Sequence, residues 1–208
     1  MTPAMSTMAA VPPTTPTIRN SRLAEAPGAE AALRELCGPF VRGPFAPLCA
    51  VVQPDEIPHP QDHLLVHHDH MTVVLQRHHG RPVAVRVLEE HLSGDYYTRK
   101  IALTPGPDSD RVVEWGIVRL DFRYMAAEVR DEILAKQLPL GAVLIKHNVL
   151  RRIKPRWFMR FPPGGAVLDA FGAPATTDLY GRIGMIYCDE EPAIEVLEIV
   201  DGIEPPAR

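Results

Sequence analysis

Tyr96-Tyr97-Thr98-Arg99-Lys100-Ile101-Ala102-Leu103 is an aromatic and apolar run of strand type with one arginine set inside it. The next seven residues, Thr104-Pro105-Gly106-Pro107-Asp108-Ser109-Asp110, are strand-ending types. Proline lacks the N–H that a ladder needs, glycine takes positive φ freely, and Asp and Ser side chains compete for backbone groups. A second run of the same character follows at residues 112–122. Two such runs across a turn predict an antiparallel hairpin.

The same grammar recurs at the end of the chain. Residues 180–187 and 193–200 are apolar runs joined by the polar turn Asp189-Glu190-Glu191-Pro192, which predicts a second hairpin. Upstream, residues 71–76 and 83–89 read as two further strands separated by Gly80-Arg81-Pro82. Helices are expected at Ala29–Cys37, where strong helix formers meet a Gly38 stop, and at residues 126–136, where Val129, Ile133 and Leu134 share a stripe. Residues 142–149 suit helix or strand, 156–161 a short strand, 44–60 a connection and 162–177 a long loop. Hairpins interrupted by two or three helices make the fold class α+β, a single antiparallel sheet with helices packed around it.

With 208 residues, 46% hydrophobic and 23% charged, the chain fits one domain with a substantial core. A net charge of −4 gives no reason to expect a nucleic-acid or membrane partner. The start has neither the basic nor the apolar region of a signal peptide, and a cytoplasmic protein is the expectation. Residues 1–28, rich in Pro, Thr, Ala and Met, read as a flexible arm ahead of a domain spanning 29–204. The three cysteines, Cys37, Cys49 and Cys188, match neither a disulfide framework nor a zinc pattern. Seven histidines crowd residues 59–79, and His63 and His67 have the i, i+4 spacing of a helical ligand pair. With no His-Glu-x-x-His signature and no third ligand in view, the segment reads as a solvated, titratable surface and no metal is expected.

Charge inside the strands is more informative, because burying it is costly unless it is paired or bound to ligand. Arg99 and Arg119 lie on neighbouring strands and together suit a dicarboxylate, although arginines on an open sheet face are also common. Glu195 and Glu198 are three apart on one strand and face opposite sides, so only one is expected to point inward, as a candidate general acid or base.

Several segments, in order, resemble the chorismate pyruvate-lyase family. They are Asp69-His70-Met71-Thr72, Tyr97 through Leu103, Trp115-Gly116-Ile117-Val118-Arg119, Leu138-Pro139-Leu140-Gly141 and Tyr180-Gly181-Arg182, closing with residues 192–200. The resemblance spans residues 69–200. It implies a chorismate lyase-like fold and a buried pocket in which chorismate gives 4-hydroxybenzoate and pyruvate, with no metal or organic cofactor. It implies catalytic roles for Arg99 and Glu198, with Glu195 as the alternative acid. Met71, Thr72, Arg119, Leu140 and Gly141 would bind an anionic cyclic carboxylate in a monomer or homodimer. Two alternatives stay open: an enzyme of secondary metabolism using another cyclic carboxylate, or a non-catalytic small-molecule-binding domain. The same fold serves certain bacterial regulators behind a winged-helix domain, for which the stretch before Asp69 is too proline-rich.

Overall fold

The computed structural model describes residues 28–41, 49–173 and 176–203. The expected arm, Gly28 apart, lies outside them. Thirteen elements follow in the order α1 (Ala29–Cys37), β1 (Ala50–Val52), α2 (Gln61–Leu65), α3 (Met71–His79), β2 (Ala84–Ser93), β3 (Tyr96–Thr104), β4 (Glu114–Asp121), α4 (Ala127–Ala135), α5 (Leu140–Lys146), β5 (Arg151–Phe161), α6 (Ala166–Phe171), β6 (Leu179–Cys188) and β7 (Glu191–Val200). The strands form one seven-stranded sheet in the order β1-β5-β6-β7-β4-β3-β2, with every pairing antiparallel. The α+β reading and both expected hairpins are present.

Two expectations change. Residues 71–76, read as a strand on the strength of Val73 and Val74, belong to helix α3. Met71 and Leu75, four apart, bury against the sheet, and Gly80 ends the helix in the left-handed conformation (φ 66°). The long loop at 162–177 contains the short helix α6, whose Val167 and Leu168 are buried.

Successive side chains on a strand point to opposite faces, and both faces of this sheet are covered. One core gathers Ile101, Val118, Ile186, Val196 and Val200 under α2, α3, α4 and α5. The other gathers Trp115, Ile117, Ile183, Leu197 and Ile199 under α1 and α6. The central strands β3, β4, β6 and β7 are therefore buried along nearly their whole length. The edge strand β2 is protected differently, with exposed Glu89, Glu90 and His91 and a register shift between Val87 and Glu89.

The order of elements repeats. α2-α3-β2-β3-β4 and α4-α5-β5-β6-β7 are both helix-helix-strand-strand-strand, the second with α6 inserted between β5 and β6, and their last strands, β4 and β7, pair with each other at the centre of the sheet. The halves thus face each other about the β4–β7 seam, where Ile117 pairs with Leu197.

Next to the seam, β6 and β7 approach closely. A Cβ at Gly181 on β6 would lie 2.5 Å from the Glu198 carbonyl oxygen and 3.2 Å from the Ile199 Cα, backbone that cannot step aside. At Gly184, three residues on, the nearest atom is an ordinary 3.5 Å away. Gly181→Ala should cost about 1–3 kcal/mol of unfolding free energy, as overpacking does. Gly184→Ala should be near neutral in the same urea titration. Equal effects at the two positions would show that the β6–β7 approach is not the constraint.

Candidate functional site

A run of charged groups is buried on the face of the sheet beneath α2–α5. Arg182 on β6 is 1% exposed and lies directly across the ladder from Glu198 on β7. Its Nε donates to Glu198 Oε2 at 2.6 Å. Its Nη1 donates to the carbonyls of Leu65 (2.7 Å) and His67 (2.9 Å), tying the end of α2 to the sheet. A guanidinium suits this place because its fixed fork of donors satisfies a carboxylate and backbone carbonyls at once.

Glu114, at the start of β4, is on the same face and only 2% exposed, and its Oε2 has no hydrogen-bond partner among the described residues. Burial first, then the neighbouring Glu198, push its carboxyl well above the ordinary 4.5, and Arg182 pulls back only in part. The shift favours the protonated form of Glu114, in which the carboxyl is a donor inside the core.

These carboxyls border a cavity of about 40 Å³. Its opposite wall is the first residues of α3 (Met71, Thr72, preceded by His70) and of α5 (Leu140, Gly141). The two helix starts are in close contact, since a Cβ on Gly141 would fall 2.9 Å from Thr72 Oγ1 and 3.2 Å from His70 Cβ. His70 is itself buried. Burial, then the adjacent Arg151, lower its pKa to about 4, so at neutral pH the ring is uncharged and its Nε2 accepts from Arg151 Nε at 2.5 Å.

Met71, Thr72, Leu140, Gly141 and Glu198 are thus brought together as the sequence suggests. Arg119 is not. Register sets Thr98 opposite Arg119 and Arg99 opposite Val118, so the two arginines face opposite sides of the sheet and do not share a ligand. Arg119 lies beneath α1, 2.6 Å from Glu195 Oε2 and 3.0 Å from Glu35. Glu195 is also buried, so Glu195 and Glu198 both point inward, each into a different core; the expectation of one inward acid assumes one covered face.

Arg99 is 0% exposed on the same face as Arg182. Its Nη1 reaches the Ile133 carbonyl at 3.4 Å, and its Nε and Nη2 have no hydrogen-bond partner among the described residues. Burial works against its charge more than the Tyr97 hydroxyl and Glu90 favour it. Ile101, two residues along β3, and Val118, its ladder partner, both line the cavity.

Arg99 and Arg182 are counterparts in the two halves. An axis through the Ile117–Leu197 pair exchanges Val118 with Glu198, the residues across the ladder from the two arginines. Each Nη1 donates to a carbonyl near the C-terminal end of a helix of the other half, Leu65 on α2 and Ile133 on α4. The sequence carries the signal as Asp95-x-Tyr97-x-Arg99 and Asp178-x-Tyr180-x-Arg182. That repeat, and an arginine inside an apolar strand, mark Arg182 as a site residue. Glu114, at a strand start, has no comparable signal.

No family model and no curated protein matches the chain. Solved structures with a similar arrangement include PhnF from Mycobacterium smegmatis (14% identity, 64% of this chain and 64% of that chain, TM-score 0.48). The PhnF effector domain is also similar (14%, 63% of this chain and 87% of that one, TM-score 0.49). So is the ligand-binding domain of a putative GntR-family transcriptional regulator from Bordetella bronchiseptica (14%, 62% and 90%, TM-score 0.42). The similar region therefore spans less than two thirds of the full PhnF chain. The expectation of a carbon–oxygen lyase is corrected here. The pair of arginines expected to clamp a dianion is split across the sheet, and two of the similar structures are described as an effector domain and as the ligand-binding domain of a putative transcriptional regulator.

The Arg182 pair and Glu114 yield two measurable consequences. Arg182→Met strands Glu198 without a counter-charge and should cost about 3–5 kcal/mol. Arg182→Met combined with Glu198→Leu should recover most of that loss, and a double variant as unstable as the single would refute the pairing. For Glu114, the folded chain keeps a proton that the unfolded chain releases above pH 4.5, so stability is full below that pH and declines as pH rises toward the folded pKa. Glu114→Gln cannot titrate, so its stability relative to wild type should climb between pH 4 and pH 8 in urea titrations. A difference that stays flat would mean the carboxyl ionises normally.

Proposed function

We propose that the chain is a small-molecule-binding domain whose ligand is anionic. The carrying observation is Arg99, a wholly buried guanidinium with two nitrogens unpartnered among the described residues, on the same face as a small cavity whose wall includes its neighbours Ile101 and Val118. An uncompensated buried cation is costly to a fold. Its counterpart in the other half has Glu198 across the ladder, whereas Arg99 has Val118. A ligand carboxylate placed against Arg99 supplies the charge that β4 does not.

The remaining contacts follow from the wall. Protonated Glu114 donates to an acceptor on the ligand body, Met71 and Leu140 offer apolar surface, and the backbone at Thr72 and Gly141 lies at two helix starts. This combination suits a cyclic carboxylate bearing a further oxygen. The cavity of about 40 Å³ holds little more than one water, whose share of liquid volume is about 30 Å³. Ligand entry therefore requires the α3 and α5 starts to part, which makes binding a conformational event.

Thermal shift and calorimetry against benzoate, hydroxybenzoates and cyclohexane carboxylates test the reading, with the uncharged amides as controls. At least one carboxylate should raise the Tm of wild type while its amide does not. Arg99→Met should abolish that response and, by removing an unpaired buried charge, leave the ligand-free protein more stable by about 1–4 kcal/mol. Undiminished binding by the variant would sink the assignment.

A further inference from the structure

The histidine-rich segment does not organise as its spacing suggests. His67 turns inward, its Nε2 2.7 Å from the Leu64 carbonyl oxygen, and so does not face solvent alongside His63. His63 instead shares space with His59 and with Asp62. Asp62 Oδ1 lies 3.1 Å from His59 Nδ1 and 4.0 Å from His63 Nδ1, and the donor atoms of all three lie within 4.8 Å of one another. The two imidazole rings meet edge to face, centroids 4.8 Å apart.

From this geometry we infer that His59, Asp62 and His63 form a binding site for one divalent first-row transition metal ion, zinc being the reference case. Two neutral imidazoles and a carboxylate are a donor set that such ions take, whereas magnesium and calcium favour oxygen alone. Zinc bonds imidazole nitrogen at about 2.0–2.1 Å and carboxylate oxygen at about 2.0–2.2 Å, so donors on one ion lie roughly 3–3.5 Å apart. The His59–Asp62 pair already meets that distance, and the other donors close by about 1 Å through rotation of imidazoles that are more than half exposed. Asp62 Oδ1 also accepts the His63 backbone N–H at 2.7 Å, which orients the carboxylate. All three ligands come from five consecutive residues, so little chain entropy opposes assembly. Three protein donors leave the remaining coordination to water or an added ligand.

The position gives the ion a consequence. Asp62 and His63 lie in the first turn of α2 and His59 just ahead of it, and the carbonyls at and just beyond the far end of that helix, Leu65 and His67, receive Arg182. A metal bridging His59 and His63 stiffens the segment that anchors the buried arginine.

Calorimetric titration of the EDTA-stripped, tag-free full chain with zinc chloride tests this. One equivalent should bind per chain with a micromolar dissociation constant. Loss of a mere supporting partner weakens metal sites 10–100-fold, so His59→Ala or His63→Ala should each weaken binding at least about tenfold. His78→Ala with His79→Ala, an adjacent pair lower in the same segment, should leave it unchanged. The altered side chains at 59 and 63 are exposed, so circular dichroism should match wild type and separate lost binding from lost fold. No heat of binding in wild type would overturn the site, as would affinity within twofold of wild type in the His59→Ala/His63→Ala double variant.

Discussion

Burial of both faces of the central strands is the constraint on which the rest depends. A charged side chain buried on β3, β4, β6 or β7 has no route to solvent along its own face and must find a counterpart close by. Two pairs do so directly: Arg182 with Glu198 beneath α2–α5, and Arg119 with Glu195 beneath α1. β7 supplies the acid to both, from positions three apart that point in opposite directions. Arg99 is the position where this rule is left incomplete, and it lies beside the cavity.

Much of the architecture is legible in the residues. Both hairpins follow from alternation of strand-forming runs with Pro, Gly, Asp and Ser, and α1 and α4 follow from helix formers on a stripe. The failure at α3 has a physical cause. Val73 and Val74 are β-branched and favour strands locally, but burial of Met71 and Leu75 on one helical face outweighs that preference. Propensity of this size is readily overridden by packing.

The site was legible in part for a related reason. Charge within an apolar run marks Arg99, Arg119, Glu195 and Glu198 as unusual, and all four are buried. Which of them share a face depends on register, and register is fixed by the turns and by the seam between halves rather than by either strand alone. One residue of offset separates Arg119 from the cavity. Glu114 became notable only once β4 was placed against β7, because its exceptional environment is made by Glu198 and by the helix starts above it.

The seam also bears on how the chain reaches this state. β2-β3-β4 and β5-β6-β7 are each runs of strands close in sequence, and each closes smaller loops than the pairing of β4 with β7 does. The pairing of β4 with β7 joins segments separated by α4, α5, β5, α6 and β6, and its loop-closure entropy must be met before its contacts accrue. The slow, committing event in folding is therefore the meeting of two preformed sheets. Until it occurs, β4 and β7 are unpaired apolar edges. The moment of greatest exposure to misassociation thus coincides with the moment before Arg119 of β4 meets Glu195 of β7.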